Sequence, residues 1–394
     1  MRKHIELALT SLAALFAGMP LCAFAQSSVT LYGTLDNAIV YASNQKGHSN
    51  VYMRGSTLNA NRFGFLGTEN LGGGSQAVFT IEQGFDVNKG TQATPGLAFS
   101  RQAFVGLAND KYGTVTMGRQ YTPYIRYVGS LSSATTLTGG TGAHPGDVDG
   151  LDTSRVNNAV VYASPVFSGF QMSAMYGFGG VPGSFSSGNS LSAALKYDEG
   201  PLSAAVAYLK VSNTDDARGV FSPDASGSSA VAISPVNLGY LSAKSVQYIA
   251  AAARYTMGNV KVALNYSNAQ YRPGTESLFS QTAMFNTYGM YSSWLVTPTF
   301  YVVGGYSYTR ERAANGITDP AHYHQFSFEE TYSLSKRTVL YFLQAYQIAG
   351  GTTLGKGGAG DFVSAVAVVG DSQNSSPSSG RHQFVGMAGI RLLF

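Results

Sequence analysis

Three aspartates, Asp147, Asp149 and Asp152, fall within GDVDGLDTSRVNNAVVY (146–162), and Arg155 follows them at the start of an alternating apolar run. Carboxylates grouped around a glycine suggest a calcium loop, and paired carboxylates suggest acid–base chemistry. Counted from Asp147, a helix–loop–helix calcium site needs an oxygen donor at its fifth position, Gly at its sixth and Glu at its twelfth. Leu151, Asp152 and Asn158 stand there instead, so that pattern fails. An irregular calcium site, solvated carboxylates bonded to backbone amides, and acids lining an aqueous opening all stay open. His322 and His324 in AHYHQF share a strand face, but no third ligand accompanies them, so no metal is expected. Gly72–Gly74 precedes neither GKS nor GKT, and neither G-x-S-x-G nor H-E-x-x-H occurs. The expectation is a protein that is not an enzyme, with no catalytic residue and no cofactor.

The elements that must position these residues are strands. In VKVALNY, Val260, Val262, Leu264 and Tyr266 alternate with Lys261, Ala263 and Asn265. TFYVVGGYSYTR likewise puts Phe300, Val302, Gly304, Tyr306 and Tyr308 on one face. Segments of about ten residues with an apolar face and a small or polar face mark a transmembrane barrel. Tight turns at 71–74, 110–113, 165–169, 198–200, 257–259, 296–298 and 335–337 alternate with eight longer loops, which predicts sixteen strands. Three loops are much longer than the rest: Tyr121–Ser154, Val211–Ser245 and Ala349–Gly380. The last run, QFVGMAGIRLLF, would leave a sticky edge unless it pairs with the first strand, Val29–Ala42.

Composition agrees with this architecture. Charged residues make up 12% of the chain, about half of what a soluble domain carries. The basic residues are scattered, which argues against a nucleic-acid partner. Arg2 and Lys3, the apolar run Leu7–Leu21 and Ala23-Phe24-Ala25 read as a cleaved signal peptide over 1–25, leaving 26–394 as one barrel domain. The one cysteine, Cys22, leaves with it, so burial and hydrogen bonding must supply stability.

SSVTLYGTLDNAIVY, NRFGFLGTENLGGGSQAVFTIEQGF, SRQAFVGLANDKYGTVTMGRQYTP, NNAVVYASPVFSGFQMSAMYGFG and the terminal Phe resemble the general diffusion porins of Gram-negative bacteria, particularly their β-proteobacterial branch. The resemblance implies an all-β, transmembrane, antiparallel up-and-down barrel of sixteen strands in the cell outer membrane, assembled as a homotrimer. It also implies that the third long loop, about 121–154, folds inward between the fifth and sixth strands and narrows a water-filled lumen. Wall arginines of relatives, set against loop acids, match Arg62 in NRFGF after the first long loop, Arg101 in SRQAFVGL and Arg155 in SRVNNAVVY. The family's loop motif with a Glu is absent. HPGDVDGLD replaces it, making Asp147, Asp149 and Asp152 the loop-acid candidates.

Alternation places Arg62 opposite the outward Phe63 and Phe65. It places Arg155 and Asn157 opposite Val156, Val160 and Tyr162. Arg101 shares the parity of Val105 and Leu107, so its inward position rests on the resemblance. From Lys111 to Pro145 there is no acid, while Arg119 and Arg126 add possible pore charges. The expected function is passive diffusion of small hydrophilic solutes and ions with an anion preference, in contact with outer-membrane lipid and lipopolysaccharide. A substrate-specific porin with a sugar or organic-anion site, and an adhesin or phage-receptor barrel, are the alternatives.

Overall fold

The computed structural model describes residues 27–137, 139–152, 154–370 and 377–394. The signal peptide read at 1–25 lies outside the described residues. The strands are β1 (Ser28–Gln45), β2 in two pieces (His48–Gly55 and Arg62–Gly72), β3 (Ser75–Asp86), β4 (Gln102–Asn109), β5 (Gly113–Tyr121), β6 (Arg155–Ala163), β7 (Phe170–Gly177) and β8 (Ser190–Glu199). They continue as β9 (Leu202–Ser212), β10 (Ser245–Met257), β11 (Val260–Arg272), β12 (Ala283–Thr297), β13 (Phe300–Glu311), β14 (His322–Ser333), β15 (Thr338–Gly350) and β16 (His382–Leu393). Each pairs antiparallel with its neighbour in sequence, and β16 returns to β1, closing a barrel of sixteen strands.

Alternation decides which face each strand turns outward. On β11, Leu264 is 62% exposed while its neighbour Ala263 is 2% exposed. Val262 and Tyr266 are exposed with Leu264, and Asn265 and Ser267 are buried. An apolar exterior and a polar or small interior suit a wall in contact with hydrocarbon. At the seam, Gly33 and Phe394 exchange two backbone hydrogen bonds, 3.0 and 3.1 Å, below the register Thr34↔Leu393 to Ala42↔Val385. The Phe394 ring occupies the space where a Cβ on residue 33 would stand, which accounts for the glycine.

The first connection departs from expectation. It is a two-residue turn, not a long loop: Lys46 and Gly47 both have positive φ, 54° and 98°, as tight hairpins require. The irregularity falls inside β2 instead, where residues 56–61 leave the ladder and wrap the carboxylate of Asp36. Asp36 Oδ1 accepts from the Thr57 N–H (3.0 Å), the Thr57 hydroxyl (2.8 Å) and the Tyr341 hydroxyl (2.8 Å). Oδ2 accepts from the N–H groups of Leu58 (3.2 Å) and Asn59 (2.9 Å). These five donors meet a carboxylate that is 1% exposed.

Replacing Gly33 by Val is expected to destabilise closure by about 1–3 kcal/mol through overpacking against Phe394. The measurement is the temperature at which the folded, fast-migrating gel band is lost; it should fall relative to wild type.

Candidate functional site

The connection between β5 and β6 enters the barrel rather than leaving it. It opens with a short helix, α1 (Pro123–Tyr127), capped by the Thr122 side chain, which accepts from the Ile125 N–H. Tyr124, Val128, Leu131, Val148 and Leu151 of this loop are all 3% exposed or less. They share one apolar cluster with Tyr248 and Ala250 of β10 and Tyr271 of β11 on the inner wall. The Tyr124 hydroxyl donates to the Asp149 carbonyl (2.9 Å), and the Tyr271 hydroxyl donates to that of Val148 (3.3 Å). Burial of this kind holds the loop against the inner wall of the barrel.

Two further loops come inward as well. Ala230, Val236 and Tyr240 of 213–244 join the same cluster. Ser226 O accepts from the Asn157 N–H at 2.7 Å. From the last long loop, the Val368 N–H donates to Gln347 Oε1 (2.6 Å) and the Val369 N–H to Gln383 Oε1 (3.0 Å), both on inward wall positions. Sequence shows these stretches only as long loops, because Ser/Gly-rich segments carry no periodicity to reveal a buried face.

The arginines form a continuous bank tied together by two groups that sequence reasoning passed over. Glu82, on β3 and 4% exposed, accepts from Arg101 Nε (2.8 Å) and the Tyr32 hydroxyl (2.9 Å), and faces Arg62 Nε at 3.4 Å. Tyr121, at the end of β5, accepts from Arg101 Nη2 and, at 3.2 Å, from Arg155 Nη2. The Arg155 guanidinium also lies 4.8 Å from the Tyr121 ring centroid, within cation–π range. Arg119 donates to the Ser100 carbonyl (2.7 Å), to Asn157 and to Ser229 (3.2 Å), within electrostatic reach of Arg155. Arg126 is the exposed residue of α1 and donates to Gln102 Oε1 (2.9 Å).

Glu82 had a sequence signal: in VFTIEQ, Phe79 and Ile81 take the outward parity, so Thr80 and Glu82 take the inward one. Arg101 escapes the ambiguity of its strand because it precedes β4, while Val105 and Leu107 are both 60% exposed on the outer face. On β6 the expected parity fails. The register steps from Gly118↔Ala159 to Gln120↔Val156, with Asn158 at φ 50°. This bulge turns Val156 inward, fully buried, rather than onto the face of Val160 and Tyr162. Arg155 remains inside, 7% exposed, against Tyr121.

The aspartates are not equivalent. Asp147 and Asp149 are 0% and 1% exposed, within the loop's own packing. Asp147 Oδ1 accepts the Asp152 N–H (3.0 Å), and Asp149 Oδ2 accepts from His144 Nδ1 (2.6 Å) and the Ser267 hydroxyl. Asp152 is half-buried and within electrostatic reach of Arg101. Among the described residues no group of three or more His, Cys, Asp or Glu is arranged to hold a metal ion.

A closed antiparallel barrel with an apolar exterior, whose longest early loop folds inside beside a bank of arginines, is a transmembrane barrel of the porin class. The chain belongs to the Gram-negative porin family: the family's sequence model matches residues 8–348. It is 33% identical over 228 residues to an outer membrane porin protein of Bordetella pertussis, spanning 51% of this chain and 59% of that one. It is 33% identical over 199 residues to outer membrane porin protein 32 of Delftia acidovorans, spanning 47% and 54%. The matched part is thus little more than half of either relative. Among solved structures, the anion-selective porin from Comamonas acidovorans superposes with a TM-score of 0.70 at 24% identity, covering 94% of this chain and all of that one. An outer-membrane OmpT of Vibrio cholerae follows with a TM-score of 0.63 at 14% identity, covering 93% and 98%. At such identities the superpositions speak for the fold alone. The protein is an outer-membrane porin.

Leu151→Ala should loosen the inward loop by about 2–5 kcal/mol, because the side chain is fully buried between loop and wall. Limited proteolysis of folded protein is expected to cut within 122–154 faster than in wild type, with the barrel band intact.

Proposed function

We propose that this porin is a water-filled diffusion channel for small hydrophilic solutes and ions, constricted by loop 121–154 and preferring anions. The observation that carries the reading is the charge balance beside the loop. Arg62, Arg101, Arg119, Arg126 and Arg155 stand there, and Glu82 is shared by two of them. Asp147 bonds within the loop and Asp149 to His144 and Ser267, leaving Asp152 as the loop acid nearest the bank. A narrow aqueous opening between low-dielectric walls concentrates the field of fixed charges, and an excess of guanidinium groups raises the local anion concentration. Tyr121 helps hold this bank together, since its ring and hydroxyl stabilise neighbouring guanidinium groups without cancelling their charge.

A homotrimer is part of the proposal. Its support is the fold shared with an outer membrane protein of Vibrio cholerae described in trimer form, and the exposed stretch 88–99, with Leu97 and Phe99 turned to the surroundings.

Planar-bilayer recordings should show conductance in steps of three, and liposome swelling should fall smoothly with solute size. A single solute that saturates and departs from that curve would point to a specific binding site instead. Glu82→Gln should raise the anion-to-cation permeability ratio on the order of twofold or more, and Arg62→Ala or Arg101→Ala should lower it by a similar factor. All three changes should be larger at low salt, where screening is weaker. Equal ratios in all four proteins would remove the arginine bank as the source of selectivity.

A further inference from the structure

We propose that His144, Asp149, Ser133, Asn265 and Ser267 form a buried latch that pins the inward loop to β11, and that His144 is the positioning residue for the constriction. The inference rests on the channel reading above for its consequence, but not for its geometry. Ser133 donates its N–H to Asn265 Oδ1 (2.9 Å), and its hydroxyl lies 2.9 Å from the same oxygen and 3.0 Å from His144 Nε2. His144 Nδ1 donates to Asp149 Oδ2 (2.6 Å), which also accepts from the Ser267 hydroxyl. Ser133, His144 and Asp149 have the order of a nucleophile relay. All three are 1% exposed or less, so the arrangement binds loop to wall instead of meeting a substrate.

The hydroxyl of Ser133 gives the latch tolerance. With the imidazole neutral, it donates to Nε2; with the imidazole protonated, Nε2 donates to it and it turns to Asn265. The latch therefore survives protonation of His144 as long as Asp149 stays charged. Asp149 Oδ1 has no hydrogen-bond partner among the described residues, which leaves the carboxylate dependent on His144 and Ser267. Burial pushes this carboxyl up, but the charge of His144 and the hydrogen bonds from His144 and Ser267 outweigh it and hold it below the ordinary range. A depressed folded pKa contributes stability above the unfolded value, about 3.9, and that contribution disappears as pH falls through the folded one. Release thus belongs below about pH 4.

The titratable groups facing the pair are Asp147 and Tyr124 from the loop, Tyr248 from β10 and Tyr271 from β11. From loop 213–244, Ser234 and Ala230 approach Gly146 and Gly150, and neither titrates. From β14, Gln325 donates to the Ala143 carbonyl at 3.1 Å. The wall is shaped for the latch: a Cβ at Gly289 of β12 would collide with the Ser133 hydroxyl and come within 2.5 Å of Asn265 Oδ1.

Hydrogen exchange of the purified, full-length porin tests this directly, because it reads the loop whether or not the barrel conducts. Protection factors of amides 129–152 are compared with those of the barrel strands from pH 3 to 8. In wild type the loop should stay protected to about pH 4 and lose up to about tenfold in protection per pH unit below it, with the strands unchanged. Gly289→Ala, which alters no charge, should reduce loop protection at every pH. Asp149→Asn should remain latched near pH 8 and release at a higher pH than wild type, since the imidazolium then lacks its counter-charge. The double variant His144→Gln with Asp149→Asn should show no acid step, and Asp147→Asn should keep the wild-type step. A wild-type loop with the same protection at pH 3 as at pH 5, an unshifted step in Asp149→Asn, or a step surviving in the double variant would each overturn the latch. Conductance recorded on the same preparations at pH 7 separates this outcome from failure of the channel reading: a silent wild type counts against the channel and leaves the exchange result standing.

Discussion

A peptide group left unpaired in hydrocarbon costs several kcal/mol, and that penalty organises the whole molecule. It forces the strands to close on themselves, so the seam between β1 and β16 is completed by paired backbone bonds down to Gly33 and Phe394. Closure separates two environments within one wall. The outer face must be apolar, and every charge needed at mid-depth must turn inward. The interior then has room for loops and for a density of guanidinium groups that no lipid-facing surface would tolerate.

Inside that enclosure, charge and packing divide the work. The loop between β5 and β6 is held by an apolar cluster and by hydrogen bonds to inward tyrosines, and its buried acids brace the loop itself and tie it to β11. The arginines are held differently. Glu82 and Tyr121 bridge them in pairs, satisfying donors while leaving most of the positive charge in place. On the proposed reading, a loop stabilised by burial and a wall stabilised by a few shared acceptors border an opening whose fixed charge is positive.

Much of the fold was legible in residues. The alternation of Val262, Leu264 and Tyr266 against Ala263 and Asn265 reports a two-faced strand, and glycine-bearing turns such as 71–74 report reversals. Arg62 was legible for the same reason, with Phe63 and Phe65 flanking its parity. The failures have physical causes. The bulge at Asn158 lies beside the bond from the Asn157 N–H to Ser226 of loop 213–244, and nothing near Val156 in sequence signals it. The burial of Asp147 and Asp149 depends on Tyr248, Tyr271 and Ser267, residues about a hundred positions away that only closure brings near. The gap in β2 is legible only once Asp36 is seen as the group that residues 56–61 enclose.

In the proposed channel the net positive field of the arginine bank governs what passes. The most direct measurement is the zero-current potential of the wild-type protein in a planar bilayer across a tenfold potassium chloride gradient. The account predicts the sign of chloride-preferring permeation, growing as both solutions are diluted. A potential of the sign that marks potassium preference, stable on dilution, would contradict it.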